Sequence, residues 1–271
     1  MKKIFFTTAV IALFFTSCTK EFVKHERVRP SGRIITEAYY LSENIHRVGV
    51  SDIIDLHLFL GDENHIEIHA DDNILPHIAV RQISRSGLEI FLEGVSFIRR
   101  SPQITVYLTL RDLNELSLSG ASSARLHLQS GQALISDRLS IRASGSSSVY
   151  FQPLGEIVAN TLAIRLSGTS SFNGDNISVS TIDATLSGSS RLDLAGESTY
   201  FNLTSSGTNR TRAFDLICHH LDARLSGSSN AQVTVRETLR VTLSGASRLT
   251  YDGNPDILYQ RVSTASSLQR R

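Results

Sequence analysis

The sequence predicts an all-β protein. The expected form is a single-stranded parallel β-helix, or β-solenoid, with rungs of about 20 residues, right-handed, behind an irregular N-terminal part. Three observations carry this. One phrase recurs: LSLSGASSARL (116–126), IRASGSSSVYF (141–151), IRLSGTSSFN (164–173), ATLSGSSRLDL (184–194), LTSSGTNRTRA (203–213), ARLSGSSNAQV (223–233) and VTLSGASRLTY (241–251). Its anchors are Gly120, Gly145, Gly168, Gly188, Gly207, Gly227 and Gly245, with Thr264 in a faded eighth copy, and they are spaced 25, 23, 20, 19, 20, 18 and 19 residues apart. Around each anchor the apolar residues alternate with polar ones, the period of a strand with one face buried.

Four residues before the anchor stand Leu116, Ile141, Ile164, Ala184, Leu203, Ala223, Val241 and Gln260. Four after it stand Ala124, Val149, Phe172, Leu192, Thr211, Ala231, Leu249 and Leu268. Each unit therefore reads strand, sharp corner, strand, looser return. Glycine supplies backbone angles that a Cβ penalises. A serine precedes the anchor in every copy, from Ser119 to Ser263, and small residues suit a column of corners stacked about 4.8 Å apart. Eight such rungs make a rod roughly 38 Å long, with a core that no rung could form alone.

Taken from the start, residues 1–17 read as an export signal. Lys2 and Lys3 precede a short apolar run, Ile4 to Phe15, too short for a stable span. Phe15-Thr16-Ser17-Cys18 looks like a bacterial lipobox, with Cys18 the lipidated first residue of the mature chain. An ordinary secretory signal with an incidental cysteine is the alternative. Several acyl chains on Cys18 would anchor a domain to a bilayer surface. Thr19 is not the aspartate associated with inner-membrane retention, so the outer membrane is expected, with its side left open. Residues 18–33, charged and polar with Pro30-Ser31-Gly32, read as the lipidated cysteine and its tether.

Residues 34–110 hold strand patterns without the corner phrase: 45–50, 53–60, 65–70, 88–92 and 104–110, with 74–83 a strand or short helix and 94–102 a variable loop. They form either early irregular rungs or a small sheet capping the rod. A cap is needed because an open end exposes core and unpaired edges. Residues 111–271 are the repeat solenoid, and its closing stretch from Asp252 to Arg271 would cover the other end.

The segments DLHLFLGDENHIEIHADDN (55–73), SGLEIFL (86–92) and ITVYLTLRDLNELSLSGAS (104–122), with the later SGSS and SGAS corners, resemble the GIN-domain family of auto-transporter adhesin heads, common in exported Bacteroidetes proteins. The resemblance covers about residues 34–269. It implies an all-β fold of parallel β-helix character, frequent lipidation and an adhesive role, and it brings no active site. The lost glycine at Thr264 departs from the pattern.

The chain offers little chemistry of its own. Without residues 1–17 it carries 25 Lys and Arg against 26 Asp and Glu, so no bulk basic signal points to nucleic acid. Asp183 and Asp222 stand five residues before their anchors with Asn202 between them, about 9.6 Å apart by rung spacing, beyond the usual span of an inverting carboxylate pair. Arg142, Arg165 and Arg224 fall in one column, and Arg191, Arg210 and Arg248 in another. They are a candidate face for anionic glycans, against the plainer reading of solvated strand surface. Cys218 reads as a buried thiol, with metal binding through His219 and His220 the less favoured alternative. His65 and His69 form no metal phrase, and Asp175, Asp193, Asp252 and Asp256 match no calcium loop. No cofactor or metal is expected. The sequence points to a non-enzymatic envelope lipoprotein that binds a surface glycan or envelope protein. A carbohydrate-active enzyme on the same scaffold and a purely structural rod are the alternatives.

Overall fold

The computed structural model describes residues 26–42, 44–97, 102–151 and 154–271. The signal segment and Cys18 lie outside them.

The repeat forms a parallel β-solenoid in which the columns read from sequence are the hydrogen-bonded registers. Before the corner, Leu116, Ile141, Ile164, Ala184, Leu203, Ala223, Val241 and Gln260 stack in one line. After it, Ala124, Val149, Phe172, Leu192, Thr211, Ala231, Leu249 and Leu268 stack in another. Phe172, Phe201 and Leu239 are fully buried, so the interior is filled by side chains. Phe151 meets Phe172 edge-on at 5.0 Å between ring centres.

The return side is more regular than expected. It is strand as well, so Ser171–Gly188, Arg191–Gly207 and Arg210–Leu225 each run 16 to 18 residues with only local register shifts. The long early spacings have a local cause. The turn at Gln129–Gln132 lengthens the first rung, and the connection before Glu156–Leu166 lengthens the second. Later rungs have fewer residues between their paired positions on the return side, and the spacing falls.

The front part is both rung and cap. Arg47–Val50 and Ile54–Leu60 make a rung that pairs in parallel with Glu115–Leu118 and Ser123–His127. Gly87–Leu92 and Ile104–Leu110 pair in parallel with the other side of that same rung. The order in space is therefore 87–110, then 47–60, then 115–127. Ile34–Tyr40, His65–Asp71 and Ile78–Gln82 run antiparallel along the outer edges of this end. The ambiguous stretch after Asn73 is a 3-10 turn, Leu75–His77, followed by a strand. Within the expected loop, Val95–Phe97 is a strand paired with Glu26–Val28, and Val28 and Val95 are buried there.

At the far end Asp256–Val262 and Ser267–Arg270 form a final rung on Asn230–Leu243 and Arg248–Asp252. It is far more open than the others, and Leu258 is 55% exposed.

Candidate functional site

The corners set the geometry of everything outside them. Gly188 has φ +78°, and a Cβ on it would stand 2.6 Å from the carbonyl oxygen of Gly168 on the rung below. Each corner donates to the one beneath: Ser146 N to Gly120 O at 2.7 Å, Thr169 N to Gly145 O at 2.7 Å, and on to Ala246 N to Gly227 O at 2.7 Å. A second serine column locks the turn from inside. Ser122, Ser147, Ser170, Ser190, Ser229 and Ser247, two residues after the glycine, are almost fully buried, and each hydroxyl donates to the carbonyl three residues back. The sequence reading stressed the serine before the glycine. The one after it is the buried element, and its repetition was visible.

Asn209 replaces that serine on one rung and adapts its neighbours. Its amide donates to Ser206 O at 2.6 Å and Ser205 Oγ at 3.1 Å, while its Oδ1 accepts from Ser190 N at 2.8 Å. Ser205 stands where the column otherwise places an apolar residue, so one polar change in the core accompanies the other.

The rigid stack places the outward residues in files. One file runs across the whole outer face after the corner: Tyr107, His57, Arg125, Tyr150, Asn173, Asp193, Arg212, Gln232, Thr250 and Gln269. Beside it run Asp55, Ser123, Ser148, Ser171, Arg191, Arg210, Asn230, Arg248 and Ser267.

The N-terminal half of this face is aromatic and imidazole-rich. His57 Nδ1 lies 2.9 Å from His127 Nε2, with the rings stacked at 5.1 Å. Phe59 stacks on His127 at 4.7 Å, and Tyr107 lies against His57 at 5.1 Å. Arg125 bonds Asp55 at 2.6 Å and covers the Tyr150 ring. Burial holds the His127 imidazole below its ordinary value, reinforced by His57 and Arg125. His65 and His69 both face outward, since residues four apart in a strand share a face, and His69 bonds Glu67. Among the described residues no group of three or more His, Cys, Asp or Glu side chains converges on a metal-sized site. No sequence pattern announces this cluster, because its members come from separate strands.

The C-terminal half is basic. Arg191 and Arg210 are direct neighbours on adjacent rungs, Arg248 lies two rungs further in the same file, and Arg212 stands alongside. Asp193 sits among them with its Oδ1 buried and without a hydrogen-bond partner. Burial raises its carboxyl above the ordinary value of 3.8, against the opposing pull of Arg212, Arg191 and Arg210.

The other predicted arginines are elsewhere. Arg142 and Arg165 are neighbours before the corner, with Arg224 three rungs on in the same file. Glu115 pairs with Arg142, and Asp222 pairs with Arg224 at 2.8 Å. The six arginines therefore occupy two faces. The carboxylates considered for catalysis are engaged structurally: Asp183 accepts from Asn202 at 2.9 Å, and Asp222 holds Arg224. Cys218 is fully buried, its thiol donating to Thr234 O at 3.2 Å, and burial pushes it up to about 12. His219 and His220 turn instead to Glu237 and Thr238.

Comparison with known proteins follows this architecture. A putative adhesin from Parabacteroides merdae superposes with a TM-score of 0.80 at 18% identity, covering 90% of this chain and 99% of that one. A putative lipid binding protein from Parabacteroides distasonis gives 0.78 at 17%, covering 91% and 100%. A putative adhesin from Bacteroides fragilis gives 0.67 at 18%, covering 90% and 100%. These likenesses establish the fold. No curated protein matches the chain. The profile of one family spans residues 44–255, and by that match the chain belongs to the putative auto-transporter adhesin head, GIN domain, family.

Proposed function

We propose that the protein is a lipid-anchored, non-enzymatic scaffold of the cell envelope that binds a surface glycan or another envelope component through the outer face of its stacked strands. One observation carries this reading: a filled interior supports an unbroken outward file from Tyr107 to Gln269, a rigid surface on which spacing is set by the backbone. The rod uses its inner side chains for packing, and the two carboxylates considered for catalysis, Asp183 and Asp222, are bonded to Asn202 and Arg224. Fold relatives described as putative adhesins support the same reading. The relative described as a putative lipid binding protein is compatible only with an external lipid contact here, since Phe172 and Phe201 occupy the core.

The division that accompanies this reading is a signal segment at 1–17, Cys18 with a tether to residue 33, a front part at 34–110 and the repeat solenoid at 111–271. Cys18 would carry the acyl anchor that places the domain at the outer membrane. Fractionation tests the anchor. Cys18→Ala is expected to move the protein from the membrane to the soluble fraction, and continued co-sedimentation with membranes would refute it.

A further inference from the structure

We infer that the basic half of the face is a subsite for an anionic polysaccharide, one bearing carboxylate or sulfate groups; the inference deepens the proposed binding role and rests on it. Arg33, Arg81, Arg125, Arg142 and Arg224 are each held by a carboxylate. Among the described residues, Arg191, Arg210, Arg212 and Arg248 take part in no ion pair of that kind, and all four are exposed.

Their arrangement carries a cost. Arg191 and Arg210 are directly opposed on adjacent strands, where like charges repel. Asp193, the carboxylate among them, is itself disfavoured as an anion by burial. The surface thus keeps concentrated positive charge where one acidic neighbour at the Asn230 position would have relieved it. A guanidinium offers a planar pair of donors to carboxylate or sulfate oxygens, and a rigid stack holds successive forks at a fixed repeat of about 4.8 Å.

The surroundings choose among polyanions. Asn230 and Gln232 lie between the arginine rungs and present amide donors and acceptors suited to hydroxyl groups. Among the described residues, the rungs carrying Arg191, Arg210 and Arg248 present no aromatic ring in these two files; the nearest, Tyr150, already has Arg125 over its face, which leaves nucleic-acid bases without the successive rings they stack on. A hydroxyl-rich chain with repeating acidic groups satisfies both the guanidiniums and the amides.

The test uses the purified full chain and four probes: polygalacturonate, dextran sulfate, neutral dextran and phosphatidylglycerol vesicles. Binding to either anionic polymer, weakening as salt rises, and none to dextran is expected. Arg191→Gln with Arg210→Gln should weaken it at least tenfold, while Arg142→Gln with Arg165→Gln on the other face should leave it within about twofold. Unchanged thermal midpoints in both double variants would exclude unfolding as the cause. Equal loss in both variants would reduce the effect to bulk charge and overturn the subsite. Binding to vesicles in preference to the polymers would assign the strip to lipid phosphate and overturn the polysaccharide. Binding to dextran alone would refute the strip while leaving the broader binding role standing. Membrane retention of Cys18→Ala would sink the envelope anchor without touching this result.

Discussion

The corners that flank the run of glycines, Asp52 and Thr264, both lack glycine, yet they solve the problem in opposite ways. Asp52 keeps the left-handed backbone, with φ 70°, and Gly120 stacks directly on it. Its own Cβ points to the N-terminal side, where no glycine corner lies beneath, and the carboxylate uses that room to accept from Leu92 N at 2.8 Å. Thr264 sits above Gly245, so a Cβ in the same conformation would meet a carbonyl oxygen, and Thr264 is not left-handed. Ser266 Oγ takes over the orphaned Gly245 carbonyl at 3.0 Å. Glycine is thus required by what lies on one side of it, not by the turn alone. The rung at 47–60 can dispense with it because Leu92, and not a glycine corner, lies beneath Asp52, and the last by giving up the corner bond.

The sharpest way to break this comparison is a branched residue in mid-stack. Gly188→Val combines left-handed strain with overlap against Gly168 O, and is expected to lose more than about 3 kcal/mol, read as a large fall in the thermal midpoint. The buried serine staple comes next. Ser190→Ala leaves Ser187 O without its hydroxyl donor and should cost roughly 1–2 kcal/mol by urea unfolding, whereas exposed Ser189→Ala should be near neutral.

The pH response of Asp193 has a definite sign. Its folded pKa is raised, so its contribution to stability is present below the ordinary value of 3.8 and is lost as pH rises through the folded value. Asp193→Asn should therefore stabilise the protein at neutral pH and make no difference well below 3.8, as measured by thermal midpoints across that range. It should also strengthen polyanion binding. The smallest structural effect is a kinetic one. The Cys218 thiol, pushed up to about 12, should resist iodoacetamide at pH 8 in the native state and react readily in denaturant.

The contrast between repeat and front part also explains what could be read from sequence. In the repeat, each residue's partner is its own counterpart about one period away, so Leu116, Ile141 and Ile164 could be aligned by eye into the register the backbone adopts. The front breaks that rule. The rung at 47–60 is flanked by 87–110 and 115–127, and no local alternation encodes such an interleaved order. The same limit hid the face. Tyr107, His57 and His127 meet only through this stacking, while Arg191 and Arg210 were recognisable because they share a repeat position. The two arginine columns on either side of the corner were likewise legible, but which of them carry a carboxylate partner, as Arg142 and Arg224 do, was not.

The corners stack closely enough that a single added Cβ meets the carbonyl of the rung below. The measurement that addresses it most directly is the thermal midpoint of Gly188→Ala beside that of Asp52→Ala. Stacking predicts a loss of roughly 3 kcal/mol at Gly188, about 6–12 °C, and a clearly smaller loss at Asp52, where a Cβ is already accommodated and only a carboxylate bond is removed. Equal midpoints for the two variants, or a Gly188→Ala protein as stable as the parent, would contradict it.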